Sequence, residues 1–132
     1  MIPNDAPTIL VIEDYSDTRQ LLSALLRLKG YNIIEAENGK EGLLEASRQN
    51  PDLILMDLAL PEMDGVETAR RIHQMPKLAQ TPIFVVSAYA IEDVKADIRA
   101  AGCTEIFTKP LDVEALVKKI KETLPPGPLP PT

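Results

Sequence analysis

Four apolar runs in this chain each end on a polar group able to do chemistry. Thr8-Ile9-Leu10-Val11-Ile12 is followed by Glu13-Asp14, and Leu53-Ile54-Leu55-Met56 by Asp57. Ile83-Phe84-Val85-Val86 is followed by Ser87, and Ile106-Phe107-Thr108 by Lys109-Pro110. An ionised carboxylate at the end of a buried strand is costly to desolvate unless a metal ion, a cation or a reaction meets it. Two carboxylates about 4 Å apart repel by about 4 kcal/mol at an effective dielectric of about 20. Three acids gathered on one rim would therefore take up protons or bind a cation. An all-oxygen, hard set of ligands suits Mg2+ rather than zinc. A divalent metal plus Lys109 would offset the charge of a phosphoryl group placed on Asp57, with Ser87 as a hydrogen-bond donor to it. Nucleotide cofactors fit badly, because Glu13-Asp14-Tyr15-Ser16-Asp17 would repel the anion that a phosphate loop must hold.

Positioning these groups requires the segments between the runs to be helical, and their spacing says so. After Ser16, read as an N-cap, Leu21, Leu22, Leu25, Leu26 and Leu28 form one wide apolar face, with Gly30 as the stop. Tyr31 to Ala36 reads as a short strand. Asn38-Gly39 turns the chain into a second helix carrying Leu43, Leu44 and Ala46, which ends by Asn50-Pro51. Asp64-Gly65 is expected to make a tight turn with glycine at positive φ, before a third helix from Val66 to about Gln74. Ile91, Val94, Ile98 and Ala101 mark a fourth helix stopped by Gly102, and Leu116, Val117, Ile120 and Leu124 a fifth that starts at Asp112. Five strand-helix units in series call for an α/β fold, a doubly wound parallel sheet with helices on both faces. Its ligand site lies beyond the carboxyl ends of the strands, where Glu13, Asp14, Asp57, Ser87 and Lys109 all fall.

Length and composition narrow the partners. The 132 residues, 45% hydrophobic and 26% charged, suit one domain with one core, and the formal charge of −6 offers no basic face for nucleic acid. The opening Met1-Ile2-Pro3-Asn4-Asp5 lacks the pattern of a signal peptide, no apolar stretch reaches membrane-spanning length, and Cys103 stands alone, so a cytoplasmic location without membrane insertion is expected. Cys103 reads as a buried packing residue and His73, the single histidine, as an exposed residue of the third helix. The division expected is an N-terminal extension over 1–7, a folded domain over 8–124 and a Pro-rich tail over 125–132.

Taken together and in order, Glu13-Asp14, Asp57 with Leu60-Pro61 and Asp64-Gly65 behind it, Ser87-Ala88 and Lys109-Pro110 resemble the receiver domain of two-component response regulators. Singly, each has a plainer use: a strand-end acid, a loop cap, a hydroxyl, a solvated lysine. The resemblance implies a five-stranded flavodoxin-like (βα)5 fold with strand order 2-1-3-4-5. It implies that Asp57 accepts a phosphoryl group from the phosphohistidine of a histidine kinase or histidine phosphotransfer protein, and that the protein catalyses its own phosphorylation and dephosphorylation. Asp14, Asp57 and the backbone carbonyl of Ala59 would hold Mg2+ directly, with Glu13 acting through water, while Ser87 and Lys109 contact the phosphoryl oxygens. A cis Lys109–Pro110 peptide is expected on the same grounds. Output to an unidentified protein partner would run through the fourth helix, fifth strand and fifth helix, with Tyr89, Ile91 and Ile106 as switch residues. Ile106 departs from the aromatic residue common at that position in the family, and Phe107 beside it should face the other side of the sheet. A stand-alone switch or phosphorelay intermediate is the favoured reading. A receiver-fold interaction module, or a truncated fragment of a larger regulator or hybrid kinase acting by constitutive protein binding, is the alternative.

Overall fold

Five short strands, β1 (Thr8–Ile12), β2 (Asn32–Ala36), β3 (Leu53–Asp57), β4 (Ile83–Ser87) and β5 (Glu105–Thr108), alternate with helices α1 (Ser16–Leu28), α2 (Gly39–Gln49), α3 (Gly65–His73), α4 (Lys95–Ala100) and α5 (Val113–Thr123). This is a computed structural model, and it describes residues 6–88 and 95–124. All pairings are parallel and the strand order is β2-β1-β3-β4-β5. The order expected from the resemblance is thus the order found.

The side-chain alternation of the strands divides the core in two. Leu10, Ile12, Ile54, Met56, Ile83 and Val85 face one way and pack with Ala46 of α2, Ala69 and Ile72 of α3 and Ile98 of α4. Ile9, Val11, Leu53, Leu55, Phe84 and Val86 face the other way, onto Leu22 and Leu26 of α1 and Leu116, Val117 and Ile120 of α5. β3 and β4 are buried at every position, which is why their sequences read as unbroken apolar runs rather than alternating ones. Each fully buried aliphatic side chain contributes roughly 1.5–3 kcal/mol relative to an exposed one, so these strand ends rest on a rigid floor.

Among the described residues, three helix starts follow side-chain capping and two helix stops a glycine. Asn38, Asp64 and Asp112 cap α2, α3 and α5 by accepting from the backbone N–H of Glu41, Glu67 and Ala115. Gly30 and Gly102 take left-handed φ values of 97° and 93° after α1 and α4.

Several local expectations are corrected. Ser16 lies inside α1, whose N-cap is Tyr15 and has no side-chain capping bond. The apolar face of α1 is narrower than its five leucines suggest: Leu22 and Leu26 are buried, but Leu21 is 71% and Leu28 84% exposed, because a 100° step carries them round to the outer side. A short 3-10 turn, Pro76–Leu78, follows α3, with proline at its first position, where no N–H is required. His73 is half-buried, not exposed. Its Nδ1 and Nε2 each lie 2.9 Å from a carbonyl oxygen, those of Ala101 and Thr81, so the ring ties α3 to the segments entering β5 and β4.

Gly65 is required for a different reason from the one expected. Its φ is not among the positive values; instead it is the first residue of α3, pressed on the end of β3. A Cβ there would lie 2.9 Å from Leu58 Cα and 3.0 Å from the Asp57 carbonyl oxygen. We predict that Gly65→Ala destabilises the protein by roughly 1–3 kcal/mol through overpacking. Urea unfolding would measure it, and an unchanged midpoint would show that α3 can shift freely.

Candidate functional site

The strand register brings the polar strand ends together. Ile12 pairs with Met56, so Glu13 stands beside Asp57; Asp57 pairs with Val86, and Ser87 with Thr108, which puts Lys109 one residue past the edge. The backbone N–H of Lys109 donates to the Ser87 carbonyl at 2.8 Å, and the Lys109–Pro110 peptide is cis.

Carboxylate oxygens of Glu13, Asp14 and Asp57 all lie within 4.8 Å of one another. Glu13 is only 4% exposed and Asp57 is buried, whereas Asp14 is open to solvent. Lys109 Nζ lies 3.0 Å from Asp57 Oδ2 and 3.6 Å from Glu13 Oε1, and its side chain stays 34% exposed. Asp57 Oδ1 accepts from the N–H of Ala59 at 2.9 Å, so both oxygens of Asp57 are engaged and its carboxylate is oriented. Glu13 Oε2 accepts from the N–H of Tyr15 at 3.2 Å. Ser87 is buried at the end of β4.

One lysine among three acids leaves the cluster electron-rich. Desolvation raises the Glu13 pKa from its ordinary 4.5 to about 7; the neighbouring Asp57 charge adds to the rise, while the Tyr15 N–H and Lys109 oppose it. Desolvation alone would lower Lys109, but the carboxylates of Asp57 and then Glu13 outweigh it and hold the ammonium above its ordinary range. The donor set is hard oxygen throughout and includes an exposed acid at the mouth. That chemistry fits a magnesium-like cation, which would offset the repulsion among the three carboxylates. A cavity of about 190 Å³ lies behind the acids, lined by Thr18 and Leu22 of α1 as well as by Glu13, Asp57, Lys109 and Pro110.

Of the sequence-derived site residues, Glu13, Asp14, Asp57, Ala59, Ser87, Lys109 and Pro110 all stand at the carboxyl edge of the sheet. Tyr89 and Ile91 lie outside the described residues. Ile106 is half-buried against the core face that holds Ala101 and Cys103, while Phe107 lies on the opposite face with its ring centroid 5.8 Å from that of Phe84. Arg19, whose guanidinium donates to the Glu13 carbonyl, also belongs to the site, and in the sequence nothing distinguishes it beyond being a cation one turn into a helix.

A doubly wound sheet carrying an acid cluster, a hydroxyl and a lysine at its carboxyl edge defines a class, and comparison with known proteins gives the family. Residues 9–121 match the response regulator receiver domain, and the chain belongs to that family, whose members are signalling modules. It is 33% identical over 117 residues to the polar-differentiation response regulator DivK of Brucella anthropi, covering 89% of this chain and 95% of that one. The structure is similar to the chemotaxis protein CheY4 of Vibrio cholerae, with a TM-score of 0.86 and 28% identity over 90% of this chain and 99% of that one. It is also similar to the receiver domain of a sensor histidine kinase from Pseudomonas aeruginosa that holds a magnesium ion in its active-site cleft, with a TM-score of 0.82 and 28% identity over 89% and 97% of the two chains. No helix among the described residues is long and apolar enough to cross a membrane.

The raised Glu13 pKa fixes the sign of a pH effect. Between about 4.5 and about 7 the folded protein holds a proton on Glu13 that the unfolded chain has released. Stability in the absence of divalent metal should therefore fall as pH rises through that window. Urea midpoints at pH 5 and pH 8, in chelator, would show a smaller drop for Glu13→Gln than for the unaltered protein. Equal drops would mean that Glu13 ionises without penalty.

Proposed function

We propose that this receiver domain takes a phosphoryl group from the phosphohistidine of a histidine kinase or histidine phosphotransfer protein onto Asp57, and that the transfer needs a divalent cation, Mg2+. The observation that carries the reading is the Asp57 carboxylate, oriented through both oxygens and set between two further acids and a lysine. Asp14, Asp57 and the Ala59 carbonyl would bind the metal directly and Glu13 through water. When bound, the ion supplies charge neutralisation at the transferring phosphoryl oxygens.

The chain's own residues do the rest. An Asp57 oxygen attacks phosphorus, the phosphorus–nitrogen bond breaks with its electron pair going to the nitrogen, and the imidazole, protonated beforehand on its other ring nitrogen, leaves neutral, so the product is an acyl phosphate on Asp57 and a neutral histidine on the donor. Because Asp57 is held in place before the donor arrives, little orientation remains to be lost in the transition state. Lys109, already 3.0 Å from Asp57, moves its charge to the new phosphoryl oxygens, and Ser87 donates its hydroxyl to them. Attack of water on the same phosphorus returns the carboxylate and inorganic phosphate, the intrinsic autodephosphorylation of the module. Output follows from the shift of Lys109 at the end of β5, passed to a protein partner on the face of α4, β5 and α5.

Incubation with acetyl phosphate and magnesium is expected to add one phosphoryl group by intact mass, none in chelator, and none to Asp57→Asn. Equal labelling of Asp57→Asn would remove Asp57 from the chemistry, and labelling in chelator would remove the metal. For Lys109→Ala we predict that some phosphorylation persists but no longer alters partner affinity. In the unaltered protein that coupling is expected at about 1–3 kcal/mol, roughly 5–150-fold. Wild-type coupling in the variant, read by pull-down or calorimetry against a captured partner, would exclude Lys109 as the transmitter.

A further inference from the structure

The corner between β1 and α1 carries two of the three acids, and a guanidinium holds it from below. Arg19, one turn into α1, has a side chain only 13% exposed. Its Nη1 donates to the backbone carbonyl of Glu13 at 2.8 Å, and its Nε donates to Glu35 Oε1 at 3.2 Å. Glu35 stands on β2, the edge strand, paired in register with Val11 of β1. The N–H of Glu13 in turn donates to the Ala36 carbonyl at 3.0 Å. Residue 13 is thus gripped through its N–H by β2 and through its carbonyl by Arg19, which is itself braced on β2. Arg27 reaches the other Glu35 oxygen at 3.6 Å and is 47% exposed.

The apolar core is formed by other residues. The effect of this arrangement is on direction. The carbonyl that Arg19 holds joins Glu13 to Asp14, so its direction sets where both side chains leave the corner relative to Asp57. A planar guanidinium can bond a carbonyl and a carboxylate at once in fixed geometry, which an ammonium cannot.

We propose that Arg19, braced by Glu35, is a positioning residue that sets the direction of Glu13 and Asp14 and thereby the affinity of the acid cluster for a divalent cation. The inference rests on the divalent-metal reading above. Partners one step removed from a metal commonly change its affinity by about 10–100-fold when removed, because the ligands they orient lose their preset geometry.

Calorimetric titration of the full chain with magnesium chloride, beside melting curves, tests it. Arg19→Met should weaken magnesium binding by roughly 10-fold or more. Arg27→Met, which breaks the outer contact to the same Glu35, should bind as the unaltered protein does even if its melting temperature falls. Arg19→Lys keeps the charge but one head for two partners, and should fall between Arg19→Met and the unaltered protein. It also decides the matter if Arg19→Met does not fold. Magnesium affinity unchanged in Arg19→Lys and Arg19→Met, or lowered equally in Arg27→Met, would overturn the positioning role while leaving the metal reading intact. Failure of the unaltered protein to bind magnesium would overturn the metal reading and this inference with it.

Discussion

Three carboxylates held within a few ångströms of one another, with two of them withdrawn from water, are the constraint on which this structure turns. Left alone they would repel and hydrate. The sheet holds them together, because Glu13 directly follows β1, Asp14 is the next residue and Asp57 ends β3, and the apolar side chains of both strands are fixed in the core. Lys109 answers part of the charge from a strand end 52 residues away in sequence from Asp57. Burial raises Glu13 and the Asp57 charge adds to the rise, and the hard oxygens of the three acids suit a divalent cation.

The same geometry explains why such a site can signal. Lys109 is shared between Asp57 and Glu13, and its backbone is bonded to Ser87, so any change of charge on Asp57 acts at once on the ends of β4 and β5. The packed floor beneath these strand ends resists rearrangement. At the opposite ends of β4 and β5, the His73 ring holds the entering segments together through the carbonyls of Thr81 and Ala101. One end of the strand pair is therefore braced, and the other carries the charge.

Much of this was legible in the residues alone. Parallel strands buried on both faces leave unbroken apolar runs, so β1, β3 and β4 and the polar groups at their ends could be read directly. Caps at Asn38, Asp64 and Asp112 are local chemistry, settled within four residues, and the glycines after α1 and α4 likewise. The corrections at Gly65 and His73 turn on distant contacts, those at Ser16, Leu21 and Leu28 on the local course of α1. Gly65 is set by the approach of β3 to α3, and His73 by carbonyls 8 and 28 residues away.

By itself, then, the sequence determined the element types, the alternation that makes the sheet parallel, and which strand ends bear acid, hydroxyl and lysine, because those depend on periodicity and on neighbours along the chain. The tertiary structure alone decided which acid is dry and which wet, and that Arg19 grips the Glu13 carbonyl. Those are matters of distance between segments, and a linear pattern of residue types carries no distance between positions that only folding brings together.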